Sequence, residues 1–240
     1  MNIIVASTST IYGGKYLDYL KPDIQELFKG ITEIVFIPFA RPSGLTHDAY
    51  TQIARDFFLQ LNINIKGLHE FENKKHALQN AGGVFTGGGN TFVLVNEMYK
   101  QNLWNILRNK IQNGMPYLGT SAGSNITGKT MHNTNDMPIV TVPSYQTLGI
   151  LPFNINPHYL DPAPKLLKHM GETRDTRIKE YLHFNTTPVV ALREGSWLRY
   201  QENKIFLYGK DTARIYFSLD NIQEIESGND ISNLFQSKVN

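Results

Sequence analysis

The segment Gly119-Thr120-Ser121-Ala122-Gly123 carries the sharpest chemical signal in the chain. It follows the apolar Pro116-Tyr117-Leu118 and precedes a predicted short helix over Ser124–Thr127. G-x-S-x-G between a strand and a helix is the pattern of a nucleophile elbow. The serine of an elbow sits on a strained turn, and small flanking residues let strand and helix approach. The N–H of Ala122 and the helix N-terminus then face the oxyanion that forms on an attacked carbonyl. A plain small-residue turn would use the same residue types, so the serine needs partners before it counts as a nucleophile.

The first partner is a base. The chain has seven histidines, and His47, His76 and His183 fall in predicted helices. His158 lies in Asn154-Ile155-Asn156-Pro157-His158-Tyr159, a loop-like segment stiffened by Pro157. It has enough intervening chain to fold back on Ser121. His132 is the rival. The base in turn needs an orienting carboxylate. Asp136 is the only acid between Ser121 and His158, whereas Glu194 ends a predicted strand. Spacing does not choose between them.

A glycine cluster, Gly82-Gly83-Val84-Phe85-Thr86-Gly87-Gly88-Gly89-Asn90, also stands between a predicted strand and a helix. A phosphate cradle is one reading, but no Lys-Ser/Thr follows the glycines, so it is not a P-loop. A second oxyanion donor fits better, because an elbow takes one N–H from a neighbouring loop.

These groups need a scaffold. Short apolar strands are expected at Ile3–Ala6, Ile34–Pro38, Asn64–Leu68, Gly83–Thr86 and Pro116–Gly119. Helical patterns lie between them, over Pro22–Lys29, His47–Leu61, Asn73–Asn80 and Thr91–Gln112. In the second, Ile53, Phe57, Phe58 and Leu61 form the expected apolar row. Five strand–helix units predict an α/β fold with a mostly parallel central sheet covered on both faces, a three-layer sandwich. Ligands of such sheets sit at the carboxyl ends of the strands. The second half reads as loops and short strands over 130–158, a helix over Thr173–Phe184, a strand at Pro188–Leu192, and a C-terminal β-hairpin built from Trp197–Tyr200 and Ile205–Tyr208. The last dozen residues are polar and are expected to fray.

Composition narrows the classes. The 240 residues, 41% of them hydrophobic, suit a single α/β domain over 1–240. With 23 basic and 21 acidic side chains, nothing pulls the chain toward nucleic acid or an anionic membrane. No apolar run approaches the roughly 20 residues of a membrane span. The start reads as a buried strand and not as a secretory leader. There is no cysteine, which excludes disulfides and a thiolate nucleophile and suits a reducing, cytoplasmic setting.

Longer segments carry a family resemblance. They are Phe36-Ile37-Pro38-Phe39-Ala40, Gly87-Gly88-Gly89-Asn90-Thr91-Phe92, Ser121-Ala122-Gly123-Ser124-Asn125, Thr134-Asn135-Asp136-Met137-Pro138-Ile139-Val140, Ile155-Asn156-Pro157-His158, Gly171-Glu172-Thr173-Arg174 and Glu194-Gly195-Ser196-Trp197. In these the chain resembles the peptidase E family of α-aspartyl dipeptidases, relatives of cyanophycinase with a class I glutamine amidotransferase-like, flavodoxin-like fold. The resemblance implies Ser121 as nucleophile, His158 as base and Asp136 as orienting acid. It implies an oxyanion hole shared by Gly88 or Gly89 with Ala122. It implies Arg174 as receiver of a substrate carboxylate, with Glu172 near the substrate amine. It further implies a small peptide with N-terminal aspartate as substrate, no metal or cofactor, and a monomer or homodimer. Thr120 departs from relatives that carry a bulky aromatic before the nucleophile. Two other readings stand beside this one: a serine hydrolase of the same fold with another acyl specificity, and a binding protein with a vestigial site.

Overall fold

Alternate residues of the first strand feed two different cores, and that alternation sets the architecture. The computed structural model describes residues 1–42, 44–161 and 172–235. In chain order the strands are β1 (Ile3–Ala6), β2 (Glu33–Ile37), β3 (Asn64–Gly67), β4 (Val84–Thr86), β5 (Tyr117–Thr120), β6 (Asn154–Asn156), β7 (Val189–Leu192), β8 (Trp197–Gln201), β9 (Lys204–Tyr208), β10 (Ala213–Tyr216) and β11 (Ile222–Ile225). The helices are α1 (Lys21–Leu27), α2 (His47–Leu59), α3 (Lys74–Asn80), α4 (Thr91–Lys100), α5 (Trp104–Gln112), α6 (Ala122–Asn125) and α7 (Arg174–Phe184). Ile3 and Val5 face one core with Val35 and Ile37, and helices α3, α4 and α5 cover it through Leu78, Leu94, Met98 and Leu107. Ile4 and Ala6 face the other with Ile34 and Phe36, covered by α1 and α2 through Ile24, Phe57 and Phe58. Strands buried on both faces must read as unbroken apolar runs, and these do.

The main sheet has the order β3-β2-β4-β5-β1-β8-β9. Its first five strands are parallel, and the β8–β9 hairpin extends it antiparallel from β1. The mostly parallel three-layer sandwich and the hairpin are therefore present. A second sheet, β11-β10-β7-β6, was not legible in the sequence. It packs Ile155, Val190, Leu192 and Ile215 onto the first core, and its other face meets Ile178 and Leu182 of α7.

Three local expectations need correction. The single helix expected over Thr91–Gln112 is two, because Asn102 takes a left-handed conformation (φ 53) and Leu103 donates back to the Met98 carbonyl at 3.0 Å. Ile53 sits at the edge of the apolar stripe of α2 and is exposed, while Tyr50, Ala54, Phe57 and Phe58 carry the buried face. The fraying expected over the last dozen residues does not begin at 229, and residues 236–240 lie outside the described residues. Ile231 is buried, and the Phe235 ring lies 4.4 Å from that of Phe153. No helix among the described residues is long and apolar enough to cross a membrane.

Candidate active site

The elbow forms where β5 ends and α6 begins, at the carboxyl edge of the sheet. Ser121 has φ 52 and ψ −112, a conformation that costs an L-residue on the order of 1–3 kcal/mol. Its surroundings impose that turn. The Ser121 N–H donates to the Ala6 carbonyl at 3.0 Å, and its own carbonyl accepts from the N–H groups of Ser124 and Asn125, both at 2.9 Å. The buried Ser124 hydroxyl lies 2.7 Å from the Ala6 carbonyl and 2.8 Å from that of Gly119. A side chain at Gly123 could not exist, since its Cβ would stand 2.1 Å from the Thr86 carbonyl. Thr120 is fully buried beneath the elbow and offers no surface to a ligand.

His158 reaches the serine from the loop after β6. Its Nε2 lies 3.0 Å from Ser121 Oγ. It too has positive φ (54), and three contacts hold that backbone. The His158 N–H donates to Ser7 Oγ at 2.8 Å, and the Ser7 hydroxyl donates on to the Leu192 carbonyl at 2.9 Å. The preceding Pro157 carbonyl accepts from the Asn135 amide at 2.8 Å. Ser7, at the end of β1, thus ties the histidine loop to β7. Nothing in the sequence singled it out, because a lone buried serine carries no pattern.

The two candidate acids occupy different positions, and Glu194, not Asp136, is the one hydrogen-bonded to His158. Glu194 Oε1, on the turn after β7, lies 2.8 Å from His158 Nδ1. Asp136 is engaged elsewhere. Its Oδ2 accepts the Thr91 N–H at 2.7 Å and faces the Thr134 hydroxyl at 3.1 Å. That is the first N–H of α4, where unpaired donors and the helix dipole favour a carboxylate. With Glu194 accepting from Nδ1–H, Nε2 presents its lone pair to the serine proton. The rival His132 does not join the group. It stacks on Tyr145 at 4.5 Å, and burial lowers its pKa.

The glycine cluster packs against Ser121. A Cβ on Gly88 would lie 2.9 Å from the Ser121 Cβ, so only glycine lets this loop touch the elbow. Gly89 (φ 142) turns the chain into α4, whose cap Asn90 accepts from Val93 and donates to the Met137 carbonyl. The segments bearing Gly88, Gly89 and Ala122 therefore converge on Ser121. Arg174 begins α7 behind the cap Thr173 and is half-buried. Burial and the neighbouring Arg177 lower its pKa, and the Asp136 carboxylate opposes them. Glu172 is exposed two residues earlier. Gly171 of the same motif and His169 lie outside the described residues. No cluster of three or more His, Asp or Glu among the described residues is placed to hold a metal ion.

Comparison with known proteins shows the family. The model of peptidase family S51 matches residues 3–208. A Drosophila melanogaster protein named probable alpha-aspartyl dipeptidase is 38% identical over 98% of each chain. Proteins named peptidase E from Streptomyces coelicolor and Shewanella amazonensis are 39% and 42% identical, over 98% of this chain and 95% and 100% of theirs. The crystal structure of a peptidase from an acI-B1 actinobacterium shares the fold, with a TM-score of 0.72 over 96% of each chain at 18% identity. A putative peptidase E from Listeria monocytogenes superposes with a TM-score of 0.67 over 88% of this chain and 98% of its own, at 17% identity. The chain belongs to peptidase family S51 and is a serine-type peptidase of that family.

Proposed function

We propose that this peptidase is a dipeptidase that removes N-terminal aspartate from Asp-X substrates, with Ser121, His158 and Glu194 as its catalytic residues. The observation that carries the reading is the continuous relay of 3.0 and 2.8 Å from Ser121 through His158 to Glu194. His158 Nε2 takes the Ser121 proton as Oγ attacks the aspartyl carbonyl, and Glu194 holds the tautomer and offsets the imidazolium charge. The N–H of Ala122 and that of Gly88 or Gly89 stabilise the tetrahedral oxyanion, each worth roughly 3 kcal/mol in comparable sites. His158 returns the proton to the leaving amine, and water then clears the aspartyl-enzyme.

Arg174 supplies the preference for aspartate. Its planar fork pairs two-fold with a carboxylate, which an ammonium cannot do. The name of the Drosophila melanogaster relative, probable alpha-aspartyl dipeptidase, supports the same substrate. Kinetics on Asp-Leu, β-Asp-Leu, Glu-Leu and Ala-Leu test the proposal. Ser121→Ala lowers turnover of Asp-Leu at least about 10³-fold with unfolding unchanged. Arg174→Ala lowers kcat/KM for Asp-Leu about 10²-fold and leaves Ala-Leu hydrolysis at its low level. Full Asp-Leu activity in Ser121→Ala would refute the nucleophile, and equal wild-type rates on Ala-Leu would refute the aspartate preference.

A further inference from the structure

A cavity of about 580 Å³ opens beside Glu194, near the β8–β9 end of the main sheet, whereas the glycine loop follows β4. Its walls include Ile11, Tyr12, Tyr19, Glu194, Trp197 and Tyr208. We propose that this cavity is the subsite for the residue released by the peptidase, and that it selects a large apolar or aromatic side chain there. The inference rests on the proposed Asp-X activity and names the second half of its substrate.

Position is the first support. Ala6 at the end of β1 pairs with Thr120 on one side and with Trp197 on the other. Strands stand about 4.8 Å apart, so Trp197 lies roughly 10 Å from the residue before the nucleophile, at the same level of the sheet. The relay gives a second measure. Two hydrogen bonds and one imidazole separate Ser121 Oγ from Glu194, a span of at most roughly 8 Å. A leaving residue with an extended side chain covers such a distance from the scissile carbonyl.

The shape of the walls is the second support. Trp197 and Tyr208 are partners in the β8–β9 ladder, and their rings stack at 5.9 Å and 28°. Tyr19 meets Trp197 edge-on at 5.8 Å, and its hydroxyl is fixed on the Thr8 carbonyl at 2.6 Å. These rings are held before any ligand arrives, so binding does not have to order them. An aromatic wall of this kind favours flat or branched apolar groups over glycine.

The third support is the exposure of the relay acid. The Glu194 side chain is 47% exposed and that of His158 36%, open for a charge pair that must stabilise an imidazolium. A large side chain seated in the cavity excludes water from the Glu194 wall and strengthens that pair during the reaction. The leaving residue therefore acts on kcat as well as on KM.

The test compares Asp-Gly, Asp-Ala, Asp-Leu and Asp-Phe in the wild type, in Tyr12→Ala and in Ser227→Trp. Tyr12 is fully exposed, and Ser227 is an exposed residue on the cavity lining, so neither change threatens folding. The wild type is expected to favour Asp-Phe over Asp-Gly by about tenfold or more in kcat/KM, with part of the gain in kcat. Ser227→Trp, which fills the cavity, is expected to erase that preference while leaving Asp-Gly within about twofold. Tyr12→Ala is expected to reduce it severalfold. Equal kcat/KM for Asp-Gly and Asp-Phe, or an unaltered preference in Ser227→Trp, overturns the subsite and leaves the proposed activity standing. Absence of hydrolysis for every Asp-X dipeptide overturns the proposed activity, and the subsite with it.

Discussion

Two carboxylates lie within folding reach of His158, and the difference between them is what each one's neighbours demand. Asp136 satisfies a helix N-terminus through the Thr91 N–H, while Glu194 faces Nδ1 of the imidazole. The two roles separate in mutants. Glu194→Gln keeps the size of the side chain but lets its amide favour the wrong tautomer, and kcat is expected to fall about 10²–10⁴-fold. Asp136→Ala is expected to destabilise the fold by about 1–2 kcal/mol, because a helix donor loses its acceptor. Urea unfolding and steady-state kinetics on both variants check this. If Asp136→Asn cost kcat the larger factor, the assignment of Glu194 would be wrong.

At the scale of elements, the β10–β11 hairpin lies beyond residue 208, where the family match ends, yet it braces three segments of the site. Arg193, the neighbour of Glu194, pairs with Asp161 and with Glu224 of β11. Tyr159, the neighbour of His158, accepts from Arg214 of β10 at 2.9 Å and shares a hydrogen bond of 2.9 Å with Tyr216. Tyr216 in turn donates at 2.7 Å to Asp175, the neighbour of Arg174. Each segment is thus held one residue away from the side chain it presents. Tyr216→Phe releases the first turn of α7 without touching the relay. It is expected to raise KM for Asp-Leu about three- to tenfold with kcat within about twofold, and an equal fall in kcat would remove the positioning role.

The same charges set how the whole molecule responds to acid. Hydrogen bonding from Arg193 lowers the pKa of Asp161. At Glu224 and Asp175 burial pushes upward, but hydrogen bonds from Arg193, Thr212 and Arg214 to the first, and from Lys179 and Tyr216 to the second, outweigh it and leave both lowered. A carboxylate with a lowered folded pKa adds stability above its unfolded value near 4, and that stability is lost as pH falls through the folded value. The second sheet and α7 are therefore expected to loosen below about pH 4 and to be insensitive between about pH 6 and 8. Urea midpoints at pH 7 and pH 3.5 measure the loss. It should be smaller in Asp161→Asn, which carries no charge to neutralise, and an unchanged loss would remove Asp161 from the account.

Features governed by neighbours along the chain could be read from residue order alone. The elbow at Ser121 was legible because its glycines answer a local steric demand. The parallel strands were legible because double burial leaves an apolar run. Thr173 marked the start of α7 because a cap bonds to an N–H three residues on. The break at Asn102 had only a faint local sign, an asparagine tolerant of left-handed backbone. Tertiary structure alone decided which acid meets His158, which serine ties β1 to the histidine loop, and how the β10–β11 hairpin braces Arg193, Tyr159 and Asp175. Those choices join residues from 31 to 151 positions apart. At such separations residue type restricts the partners, but the packing of whole elements selects among them.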